Sequence, residues 1–125
     1  MAMDRPTAAE LVSATRDFLT DKIAPELSGF NAFQLRIATN VLAIVERELE
    51  IYPDSESQER AILQTLTGTN NDDVKLLERE LAQKIRDRDV TLKTDGLKDY
   101  LWQSVMTKLA IDQPRYARYR AVKDS

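Results

Sequence analysis

Apolar residues recur along this chain at spacings of three and four, and no stretch keeps up the strict alternation of a half-buried strand. Thr7-Ala8-Ala9-Glu10 reads as a capping box opening a first helix that runs to about Lys22, with Leu11, Phe18 and Leu19 at helical spacing. Phe30, Phe33, Ile37, Val41, Ile44 and Val45 form a stripe on a second helix, from Asn31 to Ile51, and Ala38, Leu42 and Leu49 widen it. A helix this broadly apolar is expected at the centre of the fold. Tyr52-Pro53 is expected to end it, because the residue before a proline is pushed out of the α region.

A third helix is predicted from Asp54 or Ser55 to Gly68, carrying Ile62, Leu63 and Leu66. Asn70-Asn71-Asp72-Asp73 should start a fourth, with Val74, Leu77, Leu81 and Ile85 on one face. Thr94 or Asp95 should cap a fifth, with Leu97, Leu101, Val105 and Leu109 as its seam, Trp102 and Met106 as an adjacent row, and Pro114 as its stop. Asp89-Val90-Thr91-Leu92-Lys93 is the nearest approach to a strand. It would have nothing to pair with and reads as a linker. The expected fold is all-α: one domain over residues 1–125, a compact bundle of about five antiparallel helices with a short basic C-terminal tail.

Composition narrows the chemistry. The 125 residues include no histidine, no cysteine and only three glycines. That removes imidazole bases, thiol nucleophiles, zinc fingers and redox pairs, and the scattered glycines cannot form a phosphate-binding loop. The net charge is −3, unevenly spread: −6 over residues 46–80 and +4 over 81–125. No basic footprint marks a nucleic-acid binder. The longest purely aliphatic run, Val41–Val45, is far short of the roughly 20 residues that span a bilayer. With no apolar leader near Met1, a cytoplasmic protein with no membrane partner is expected.

The carboxylates show no singular pair. Glu46 with Glu50, and Glu78 with Arg79 and Glu80, read as solvated faces, and an all-carboxylate magnesium site is the one metal chemistry left, without a motif to favour it. Two polar features stand out instead. Arg36, Asn40 and Arg47 lie along one edge of the second helix, which suits either an anion or carboxylate site or ordinary pairing with acids on adjacent helices. Around Pro114, Asp112, Arg115 and Tyr116 begin a stretch in which Arg118, Arg120 and Lys123 interleave with Tyr119. Such a segment could grip an acyl-CoA or nucleotide phosphate, or simply pack its tyrosines and leave its arginines in water.

Three blocks carry a family likeness: Asp4-Arg5-Pro6-Thr7-Ala8-Ala9-Glu10-Leu11, the stretch from Phe33 through Arg36, Asn40 and Arg47 to Leu49, and Lys108 through Asp112-Gln113-Pro114 to Tyr116. Together they resemble a family of small bacterial helical proteins of unknown function, typically encoded beside an aminoglycoside-phosphotransferase-like kinase and an acyl-CoA dehydrogenase. Gln113 stands where the family usually has asparagine. The resemblance implies a non-catalytic accessory subunit of a phosphotransferase-like kinase acting on hydroxyacyl-CoA, as in levulinate-type acid catabolism. It transfers no catalytic residue and no cofactor. Arg36, Asn40, Arg47, Asp112, Arg115 and Tyr116 fall in its blocks and are expected at interface, anion-binding or structural-network positions. The alternative is a small-ligand binder using the Arg/Tyr segment, and a second copy of the chain stays open as a partner.

Overall fold

A computed structural model describes residues 5–125, and Asp4 of the opening block lies outside them. The described residues are all-helical, without strands. The α-helices are α1 (Ala8–Phe18), α2 (Gly29–Thr67), α3 (Val74–Arg86), α4 (Leu97–Asp112) and α5 (Ala117–Lys123). They group into two compact units that meet in sequence at Ile51 and Tyr52. None of the helices is long and apolar enough to cross a membrane.

The helix count agrees with expectation, but its composition differs. Pro53 does not end the second helix; it sits inside the 39-residue α2, which replaces the second and third predicted helices. Proline lacks the N–H that would reach the Leu49 carbonyl and disfavours a helical Tyr52. Both Leu49 and Pro53 are exposed, so that carbonyl remains open to solvent. The fifth helix is instead α5, formed by part of the segment expected as a tail.

In the unit up to Ile51, the capping box is present. Thr7 accepts from the Glu10 N–H at 3.1 Å, and the Glu10 carboxylate accepts from the Thr7 N–H at 3.4 Å. The α-helical form stops at Phe18, and the helical run continues past Lys22 by widening into a π turn (Leu19–Ile23) before it tightens into a 3₁₀ turn (Ala24–Glu26). Arg16 of α1 donates from Nε and Nη2 to Glu46 of α2, at 3.0 and 2.8 Å. Glu46 is therefore an interhelical anchor and not a solvated acid. No residue described in this unit is buried. Phe30, Phe33, Ile37 and Val41 lie on the side of α2 away from Glu46 and are exposed, contrary to the expectation of a central helix.

The unit from Tyr52 holds the core. Leu63 and Leu77 are fully buried, and Leu66, Val74, Leu81, Val90, Leu97 and Tyr100 close around them. Gly68 ends α2 at φ 72°, a left-handed conformation that suits a residue without Cβ. Asp73 caps α3 by accepting from the N–H groups of Lys75 and Leu76, at 2.9 and 3.4 Å. The expected Thr94 or Asp95 cap on α4 is not used. Gly96 holds that position at φ 92°, and Thr94 Oγ1 accepts from the Thr91 N–H at 2.9 Å instead. On α4, Leu97, Tyr100 and Ile111 turn inward, while Leu101, Trp102 and Val105 of the predicted seam and its neighbouring row face out.

Burial sets the expected sensitivities. Leu77→Ala should lower the unfolding free energy by about 3 kcal/mol through lost transfer energy and a residual cavity. Leu92→Ala, at an exposed linker position, should stay within about 0.5 kcal/mol. Urea denaturation of the two variants checks the contrast.

Candidate functional site

Chemistry gathers in one cleft of the unit from Tyr52, and sequence reasoning did not single it out. The cleft, about 110 Å³, lies along the latter part of α2, α3 and α4, with Ser55, Glu59, Glu78, Tyr100, Thr107 and Lys108 among its lining. Ser104 and Thr107 follow Tyr100 on the same side of α4 at spacings of four and three, so the inward side of that helix carries hydroxyls between Leu97 and Ile111. The ring of Tyr100 belongs to the core, while its hydroxyl donates to Glu59 Oε1 at 2.9 Å. Burial first, then the Glu59 hydrogen bond and charge, raises the Tyr100 phenol well above its usual range, so it stays a donor at any physiological pH.

Glu78 of α3 lines the same cleft as Glu59. Burial, followed by the hydrogen bond and charge of Glu59, holds the Glu78 carboxyl above its ordinary 4.5, against the opposing pull of Lys108 and Lys75. The cleft therefore sets two carboxyl groups beside hydroxyls and an ammonium. Among the described residues no group of three acidic side chains could hold a metal ion.

None of the residues expected at a site is among the cleft lining. Arg36 and Asn40 are exposed on α2, so the cost of burying the Asn40 amide does not arise. Arg47 is half-buried on the same edge. Asp112 ends α4, and Arg115 and Tyr116 follow in the turn before α5, all three exposed. Tyr119 is buried, with Lys123 Nζ 6.0 Å from its ring centre. That leaves Tyr116 as the aromatic of this segment open for stacking on a ligand. Glu78, expected in a solvated face, borders the cleft, and Glu80 accepts from Thr69 Oγ1 at 3.1 Å.

Fold and site together describe a helical protein with a cleft lined by carboxyl and hydroxyl groups. The chain belongs to the family described as a domain of unknown function (DUF6285), whose model matches residues 25–116, from the turn before α2 to the turn after α4. No curated protein and no solved structure matches it.

Two measurements probe the cleft. A carboxyl whose pKa is higher in the folded than in the unfolded chain contributes stability that is complete below the unfolded value and is lost as pH rises through the folded one. Glu78→Gln keeps a donor toward Glu59 without that titration. The melting temperature of the variant minus that of the wild type should therefore grow as pH rises from 4.5 toward neutrality. Tyr100→Phe removes a hydrogen bond to a charged acceptor and should cost about 1.5 kcal/mol in denaturant unfolding.

Proposed function

We propose that this chain is a non-catalytic interaction subunit that docks on a partner enzyme in the cytoplasm. Following the family resemblance, the partner is a phosphotransferase-like kinase acting on hydroxyacyl-CoA in organic-acid catabolism. The observation that carries the reading is the outward side of α4. Trp102 is 57% exposed there, with Leu101 and Val105 also open to solvent beside it. Exposed tryptophan among aliphatics is the composition of an interface hot spot, and a surface of this kind is seldom left unoccupied. The lack of histidine and cysteine suits a subunit that leaves the chemistry to its partner.

Co-expression with such a kinase, followed by size-exclusion chromatography, tests this reading. The two chains should co-elute, and Trp102→Ser should weaken the complex by about 2 kcal/mol, or roughly thirtyfold in Kd, without changing the melting temperature. Separate elution, with kinase activity the same whether or not this chain is present, would overturn it.

A further inference from the structure

We propose that the outward face of the first half of α2 is an antiparallel contact between two copies of this chain, centred on Ile37. Phe30, Phe33, Ile37 and Val41 are 70, 52, 50 and 51% exposed, and half-buried Ile44 continues their line. This line runs opposite Leu35, Thr39, Leu42 and Glu46, the side of α2 that Glu46 ties to Arg16 of α1. It carries no charge between Phe30 and Ile44, so pairing it with itself buries none.

The spacing of the stripe identifies the occupant. The steps from 30 to 33, 37, 41 and 44 are three, four, four and three, the same read in either direction from Ile37. A twofold axis through Ile37 and perpendicular to the helix sets Ile37 on Ile37, Phe33 on Val41 and Phe30 on Ile44. Every large ring then meets a smaller aliphatic, the alternation that fills a helix–helix contact. A parallel pair would stack phenylalanines at one end and leave Val41 facing Val41 at the other. It would also bring together two copies of Glu48, which lies in line with the stripe one turn beyond Ile44. In the antiparallel pair those two carboxylates stand about 33 Å apart along the axis.

The area suffices. The four exposed side chains present roughly 400 Å² per copy. Two copies would bury about 800 Å² of apolar surface, and since such interfaces are about two-thirds apolar the whole contact approaches 1,200 Å². That reaches the lower bound of specific, stable interfaces. Pairing two copies through α2 also gives apolar cover to a unit that has no buried residue of its own. The inference uses none of the α4 residues and stands or falls separately from the kinase reading.

Sedimentation of the full-length chain alone, from low micromolar to about 200 μM, should show a reversible dimer. Ile37→Asp should raise its dissociation constant at least tenfold while the circular dichroism of the chain is retained. Because the chain has no cysteine, crosslinking gives a second readout in an otherwise unaltered protein. Phe30→Cys mixed with Ile44→Cys should form disulfide-linked pairs on mild oxidation in preference to Phe30→Cys with itself. A monomer across the whole range, or a dimer indifferent to Ile37→Asp, overturns the proposal. Preferential Phe30→Cys self-linkage overturns the antiparallel order. A monomeric chain that loses co-elution with a kinase on Ile37→Asp assigns the face to that partner instead.

Discussion

The burial of Leu63 and Leu77 in one core is the constraint on which the unit from Tyr52 depends. These are its two fully buried large side chains, one from the end of α2 and one from α3. Their shared core holds α3 to the end of α2, and helix side chains then satisfy the backbone of the connecting loop. Arg60 Nε donates to the Asp72 carbonyl at 2.9 Å, and Gln64 Nε2 to the Asn71 carbonyl at 2.9 Å. Thr67 Oγ1, buried at the last turn of α2, donates to the Leu63 carbonyl at 2.8 Å. The cleft follows from the same packing. With the Tyr100 ring held among the leucines, its hydroxyl has one place to go, the carboxylate of Glu59.

Much of this was legible locally and the rest was not. The Thr7 capping box, the Asp73 cap, the Gly68 stop and the end of α4 just before Pro114 depend on a few adjacent residues whose geometry is set by short-range chemistry. Pro53 shows the limit of such signals. Its local preference is to break a helix, a penalty of about 3 kcal/mol, and it is outweighed where α2 continues into Leu63 and Leu66 of the core.

Which side of a helix turns inward was harder to read. On α4 the side with Leu101, Trp102 and Val105 is the outer one, and the inner side sets Tyr100, Ser104 and Thr107 between Leu97 and Ile111. Periodicity identifies an amphipathic helix, but when both sides carry apolar residues it cannot say which one the rest of the chain covers. The cleft was invisible for a related reason. Glu59 and Tyr100 are 41 residues apart, and Glu59 and Glu78 line one cleft only because the helices bearing them pack. No spacing in the chain encodes that encounter.

The surplus of apolar surface is a property of the sequence and not of one helix. Much of both stripes that look most core-like faces solvent, Phe30, Phe33, Ile37 and Val41 on α2 and Leu101 and Val105 on α4, while Leu97 of the α4 seam joins the interior. A chain selected only to fold alone would gain solubility by making these faces polar. Keeping them apolar makes sense if association completes the fold. The two faces share no residue and belong to different compact units, so a copy of this chain on α2 and a partner enzyme on α4 would not compete for the same side chains. An assembly using both would carry equal numbers of the two proteins, with this chain as its symmetric centre.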